Sequence, residues 1–169
     1  EDAKKEKSGP WKSFSHAKHN IEVGDILKID VHTDVAEASA PYNKIISNNL
    51  YQNNIDLLKL DGYLVSEKKE INFPVIGKIS VLELNENELE NKVEKLLIDG
   101  NHLTNPIVKV RRVNNKFTVL GEVANPGTYS YLDKKLNVFQ ALGYAGDLTI
   151  SGKRKNVTLV REENGINKT

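Results

Sequence analysis

The sequence predicts an α+β fold. Two observations carry this. Short stretches alternate apolar and polar residues with the period of a strand, and two amphipathic stretches each open on a capping-box spacing and run to a glycine. The clearest strand unit is Phe117 to Tyr131. Phe117, Val119, Gly121 and Val123 alternate with Thr118, Leu120 and Glu122, and then Asn125-Pro126-Gly127-Thr128 interrupts the pattern. Pro126 presets φ near about −65° and Gly127 is expected to accept the positive φ of a type II turn. Thr128, Tyr129 and Tyr131 resume strand chemistry, giving a strand, a tight corner and a return strand. This unit carries no nucleophile, metal cluster or phosphate loop, and so points away from catalysis.

Residues 1–18 are charged and small, with Lys4, Lys5, Glu6 and Lys7 before Ser8-Gly9-Pro10, and read as a flexible arm or a remnant of cloning. Trp11 and Phe14 are its apolar exceptions; they either pack on the parent domain, the favoured expectation, or are disordered with the rest of the arm. Gly24-Asp25 marks a turn into a first strand, Asp25 to His32, with Leu27, Ile29 and Val31 inward and Lys28, Asp30 and His32 toward solvent. Residues 33–54 lack periodicity and suggest an insertion or binding segment. Gly62 to Ser66 and Glu70 to Val75 read as paired strands, shaped by Phe73 and by Pro74, which cannot donate to a ladder and so belongs at an edge or bulge. Lys78 to Leu82 is a further short strand.

Glu86 to Asp99 is the strongest helix. Asn85 and Glu88 have capping-box spacing, Leu84 and Leu89 occupy staple positions, and Leu89, Val93, Leu96 and Leu97 make the apolar stripe. Gly100 is expected to supply a left-handed stop. Ile107 to Val113 is a strand, and Asn114-Asn115 a two-residue turn into the next one. A second helix, about Val138 to Ala145, repeats the capping box with Asn137 and Gln140 and the staple with Leu136 and Ala141, and Gly146 closes it. Val157 to Val160 reads as a strand, Asn164-Gly165 as a hairpin turn, and Ile166 as the start of a return strand. The chain is expected to be truncated there.

Composition narrows the function classes. The 169 residues, 38% hydrophobic and 28% charged, suit one domain or two small ones. A net charge of +1 gives no bulk attraction to nucleic acid. No apolar run approaches the ~20 residues of a membrane helix, so a soluble chain is expected. Cysteine is absent, excluding disulfides, thiolate metal sites and cysteine nucleophiles, and methionine is absent too, which points to a processed or trimmed chain.

Candidate chemistry is sparse. His16 and His19 are three apart but lie in the arm with no fixed carboxylate partner, while His32 and His102 read as strand-face and loop residues. Glu86, Glu88, Glu90 and Glu94 complement a helix dipole, with Glu90 and Glu94 expected on the outward face. Glu122 is expected to make a structural or interface hydrogen bond. Lys109 and Arg111 share one strand face and Arg112 the other; they either meet an acidic sugar or discourage edge-to-edge aggregation. The two glycosylation-type triplets at Asn156 and Asn167 are expected to be accidental in an asparagine-rich chain.

Four segments together carry a resemblance. Ile21-Glu22-Val23-Gly24-Asp25-Ile26-Leu27-Lys28-Ile29 resembles the opening of the polysaccharide biosynthesis/export domain, and Asp61-Gly62-Tyr63-Leu64-Val65 with Ile71-Asn72-Phe73-Pro74-Val75-Ile76-Gly77-Lys78-Ile79 is similar to its middle. Gly121-Glu122-Val123 and Asn125-Pro126-Gly127-Thr128-Tyr129 resemble the start of a soluble-ligand-binding β-grasp domain. The order matches over roughly residues 19–166. One departure is His19, where the family pattern commonly has an aromatic. The resemblance implies an export domain of mixed strands with one covering helix at 19–113, then a β-grasp domain at 114–169, truncated at its C-terminus, whose helix crosses a small mixed sheet.

The same resemblance implies a function. It implies a non-enzymatic structural subunit of a channel for capsular or exopolysaccharide export, in the periplasm at the outer membrane. Family members usually carry a secretory signal and a lipid-modified cysteine, so membrane contact is expected only through an anchor absent from this chain. The implied partners are further copies of the chain, the polysaccharide in transit and an inner-membrane synthesis and export partner, with no nucleic acid, cofactor or metal. Gly24, Asp25, Gly62, Phe73, Pro74, Gly121, Glu122, Pro126 and Gly127 are the architectural residues; Lys109, Arg111 and Arg112 are the candidates to face sugar. The alternative is a monomeric periplasmic carbohydrate-binding module. An enzyme acting on the polymer would need two carboxylates about 5–10 Å apart, and no pair is nominated.

Overall fold

The alternation of Leu27, Ile29 and Val31 with polar neighbours builds strand β1, Ile26–His32, at the centre of the larger sheet. In this computed structural model, residues 20–43, 55–163 and 166–168 are described. After β1 come the short helix α1 (Ala36–Ser39), a 3-10 turn at Ala40–Tyr42, α2 (Ile55–Asp61), β2 (Tyr63–Leu64), β3 (Glu70–Phe73), β4 (Gly77–Ser80), α3 (Glu86–Asp99) and β5 (Ile107–Arg112). Beyond these lie β6 (Lys116–Val119), β7 (Gly127–Ser130), α4 (Val138–Tyr144), a 3-10 turn at Arg154–Asn156, β8 (Arg161–Glu163) and β9 (Ile166–Lys168). Helices and small antiparallel sheets together make the fold α+β, as the sequence predicts.

The larger sheet runs β2-β1-β5, with β1 antiparallel to both neighbours. Leu27, Ile29 and Val31 stand beside Arg112, Val110 and Val108 in register. The inward set of both strands is buried and packs with Leu89, Val93 and Leu97, the stripe of α3. The capping box of α3 forms in both directions, Glu88 N–H to Asn85 Oδ1 at 3.0 Å and Asn85 N–H to Glu88 Oε2 at 2.9 Å. Its end differs from expectation. Gly100 keeps φ at −79°, and Asn101 takes the left-handed position at +52°. His102 N–H donates to Leu97 O at 2.9 Å and Asn101 N–H to Ile98 O at 3.0 Å. These are the paired bonds of a Schellman ending, with asparagine where glycine is usual. Helix α4 ends the same way, with Gly146 at +76°.

The strands after α2 pair differently from the expectation. Gly62 to Ser66 does not form a hairpin with Glu70 to Val75. Instead β2 adds to β1, Ile26 opposite Leu64, while β3 pairs with β4. Period 2 fixes which face a residue takes, not which strand it meets. Gly62 sits so close under β1 that a Cβ there would lie 2.2 Å from Ile26 Cγ2. Phe73 is buried, 5.5 Å from the Tyr63 ring, and ties the β3-β4 hairpin to the sheet. Pro74 opens the three-residue loop between Phe73 and Gly77. Within it Ile76 N–H donates to Pro74 O at 2.7 Å across Val75, which is held at φ +64°.

Beyond residue 113 the backbone departs further from expectation. Asn114-Asn115 is not a hairpin turn, because β5 pairs with β1 and β6 pairs with β7. The type II corner does not form either. Gly127 is the first residue of β7, opposite Val119 and without a positive φ; Gly121 takes that conformation, at +99°. The connecting backbone pairs instead with the segment after α4: Asn125 N–H to Ala145 O at 2.8 Å, Ala124 N–H to Asp147 O at 3.0 Å, and Thr149 N–H to Glu122 O at 3.0 Å. Those three bonds outweigh the local turn preference of Pro-Gly.

The Val157 to Val160 segment is not a strand; β8 and β9 form the hairpin, with Glu163 opposite Ile166. The pairings between strands are all antiparallel among the described residues, so the expected mixed sheet is not seen there. The readings made for Trp11, Phe14, His16, His19 and Asn164-Gly165 fall outside the described residues. Among the described residues no helix is long and apolar enough to cross a membrane.

Candidate functional site

The first candidate is the β1-β5 surface. Lys28 stands opposite Arg111, and Asp30 opposite Lys109, on the face away from the core. Lys28 is not simply solvated, as the alternation suggested. Its Nζ lies 2.5 Å from Asp61 Oδ2 and 3.0 Å from Asp30 Oδ1, and Asp61, at the end of α2, is buried. Burial pushes the Lys28 ammonium down, but its hydrogen bonds to Asp61 and Asp30 outweigh this and hold its pKa above the ordinary lysine value. Lys109 and Arg111 are exposed on this face.

Arg112 does not join them. Its Nε is 3.2 Å from Asp25 Oδ2, an ion pair not aligned as a hydrogen bond, and its Nη2 donates to Asn20 O at 3.3 Å. Asp25 Oδ2 also accepts the Glu22 N–H at 2.8 Å, closing the turn in which Gly24 takes φ +87°. Burial raises the Asp25 pKa, opposed by the Glu22 N–H and the Arg112 charge. Asn114 bridges the same turn, accepting from Ile26 N–H and donating to Gly24 O, each at 2.9 Å. Arg112 and Asn114 thus hold the start of β1 rather than a free surface.

The open side of β5 is occupied by side chains of α3. Glu94, Glu90 and Glu86 accept the backbone N–H groups of Val108, Val110 and Arg112, at 2.9, 2.9 and 3.3 Å. Four helical residues advance about 6 Å and two strand residues about 6.7 Å, so a helix glutamate every fourth position keeps step with alternate strand amides. These carboxylates therefore do not lie on a merely outward face, contrary to the expectation for Glu90 and Glu94. The signal was present in the sequence: Glu86, Glu90 and Glu94 repeat at the spacing of Leu89, Val93 and Leu97. Chemically they seal an edge strand that could otherwise accept a foreign strand.

The second candidate is the region of Glu122. Glu122 is exposed and its Oε2 accepts from Thr149 Oγ1 at 3.1 Å; Pro126 is exposed as well. Phe117 stacks on Tyr129 at 5.4 Å and meets Tyr144 of α4 edge-on at 5.4 Å and Tyr131 at 5.9 Å. The Tyr129 hydroxyl donates to Asn125 O. None of the four rings is fully buried, and Tyr144 is 48% exposed. This ring cluster went unread in the sequence, although the alternation of Tyr129 and Tyr131 opposite Phe117 could have shown it. His32 and His102 are exposed, the latter edge-on to Tyr42. Among the described residues no group of three histidines and carboxylates is gathered tightly enough to hold a metal ion.

Comparison with known proteins decides the family. Residues 15–112 match the model of the polysaccharide biosynthesis/export protein, and residues 116–166 match that of the SLBB domain. The chain belongs to the polysaccharide biosynthesis/export protein family. Among curated proteins it is similar to the EPS I polysaccharide export outer membrane protein EpsA of Ralstonia solanacearum, 28% identical over 149 residues. That match covers 85% of this chain and 39% of the relative. The protein of the same name from Ralstonia nicotianae is 29% identical over 153 residues, covering 85% of this chain and 38% of that one. This export-family chain thus spans about two fifths of the length of these relatives.

Proposed function

We propose that this protein is a structural, non-catalytic subunit of an envelope channel for polysaccharide export, with an export domain at 19–113 and a β-grasp domain at 114–169. The observation that carries the reading is the tandem pair of family matches, in the order export domain then SLBB domain. The names of the relatives put those proteins in polysaccharide export at the outer membrane, and this chain is read as acting there from the periplasmic side.

The structure supplies physical support. With the β5 edge sealed by glutamates, strand addition there is blocked, and copies associate through side-chain surfaces. The C-terminal part offers exposed apolar side chains for such contacts: Leu120 and Phe139 are 79% and 85% exposed, and Ile150 is fully exposed. Burying apolar area against a neighbouring copy is favourable by about 25 cal/mol per Å². In a closed ring each subunit presents two different complementary patches. The polymer then passes through the enclosed space, delivered by an inner-membrane synthesis and export partner, and Lys109 and Arg111 are the cations available to meet it.

The test is genetic and biochemical. Deleting the gene from its host is expected to abolish release of polymer to the medium while polymer accumulates inside the envelope, with reintroduction of the gene restoring release. Unchanged release in the deletion strain would overturn the reading. A polymer shortened by the purified full-length protein would overturn its non-catalytic part.

A further inference from the structure

A cleft of about 460 Å³ lies between the start of α1 and the turn that joins α3 to β5, just beyond the end of the β1-β5 pair. Its size falls within the ~300–1,000 Å³ of small-molecule sites. Val35, Ile98 and Leu103 give it apolar wall, and Asp34, Asn101 and Asn105 stand around it. The side chains of those three polar residues make no hydrogen bond or ion pair among the described residues. Asn101 and Asn105 are held at φ +52° and +50°, Asn101 by the Schellman ending of α3, so the amide of Asn101 is carried on a backbone fixed by the helix. An apolar wall bordered by two carboxamides and one carboxylate suits a sugar ring, which has an apolar face and a rim of hydroxyls.

We propose that this cleft is a saccharide subsite, and that it takes neutral or N-acetylated sugars rather than uronic acids. The charge pattern sets the preference: the lining residues include the carboxylate of Asp34 but no lysine or arginine. An acidic sugar would bring a second negative charge beside Asp34, with no lysine or arginine in the lining to offset it, the imidazole of His102 being the other titratable group there. The cleft is open to solvent, so a stretch of polymer lies along it without being enclosed, and binding is weak enough to let the chain move on. The inference rests on the export reading only for the class of ligand.

The experiment is an NMR titration of this 169-residue chain with N-acetylglucosamine tetrasaccharide, and in parallel with trigalacturonate. Saturable shifts are expected at the Asn101 and Asn105 side-chain amides and at residues 33–35. The double variant Asn101→Gly/Asn105→Gly keeps the backbone conformation, because glycine accepts positive φ freely. Losing two hydrogen bonds is expected to weaken binding about tenfold with an unchanged circular dichroism spectrum. Trigalacturonate is expected to bind more weakly than the neutral tetrasaccharide. Shifts confined to other regions such as the Tyr129 and Tyr144 rings, equal binding by the double variant, or tighter binding of the acidic probe would each overturn the proposal. The readout is binding, whereas the export reading is judged by polymer release from cells, so either can fail alone.

Discussion

The carboxylate of Glu90 accepts the backbone N–H of Val110 at 2.9 Å, and so a helix side chain takes the place that a further strand would fill. Val110 is fully buried, and its N–H has no water to fall back on. A buried donor left unpaired costs about 1–3 kcal/mol. Glu90→Ala is therefore expected to destabilise the protein by about that amount and to speed amide exchange at Val110, while Glu90→Gln, which keeps an acceptor, loses less. Urea unfolding with hydrogen exchange checks this. An alanine variant as stable as its parent, with exchange unchanged, contradicts the role given to the edge.

A glycine pair tests the corrected corner. Gly121 sits at φ +99° with no neighbour that a Cβ would meet within 4 Å, so only the backbone resists substitution. Gly121→Val is expected to cost about 1–3 kcal/mol. Gly127, where a Cβ would meet nothing nearer than 4.0 Å and φ is not positive, is expected to tolerate valine with little change. Thermal melts of both variants decide it; the reverse ranking restores the type II corner.

How much was legible in the sequence depended on whether the cause was local. Both capping boxes and the stripe Leu89, Val93 and Leu97 were legible, because each involves residues within a turn or two of helix. The partner of β2 was not, since alternation in Tyr63 and Leu64 does not say whether β1 or β3 lies beside them. Gly127 was misread for a related reason: Pro126-Gly127 favours a tight corner locally, but bonds from 122–125 to residues 145–149 come from outside the window. Arg112 looked like a surface cation, and only the fold brings it to Asp25, far away in sequence.

Lys28 makes a pH-dependent prediction. Its pKa is raised in the folded state above 10.5, so the native protein binds more protons than the unfolded chain once pH passes that value. Its contribution is fully present below that pH and is lost as pH rises through the folded pKa. Melting temperature followed from about pH 9 to 12 is expected to fall more steeply for the parent than for Lys28→Met, which lacks this titration. At neutral pH Lys28→Met leaves buried Asp61 without its lysine, an expected loss of about 1–3 kcal/mol; this is below the range for a fully buried pair because the Lys28 side chain is 24% exposed. Parallel pH profiles for the two proteins contradict the account.

The side-chain ordering of the core gives a simpler check on packing. Leu89 is fully buried beside Val93 and Leu97, against the sheet. Leu89→Ala is expected to cost about 2–5 kcal/mol in denaturant unfolding. A loss below about 1 kcal/mol would mean that α3 is not the lid of this core.

The central functional claim is that copies of this protein join into a closed wall around the polymer. Its most direct test is the native mass of the full-length protein extracted from its own envelope. A single closed oligomer, weakened by replacing Phe139 and Ile150 with serine, is the predicted result; a monomer at every concentration and extraction condition would contradict it.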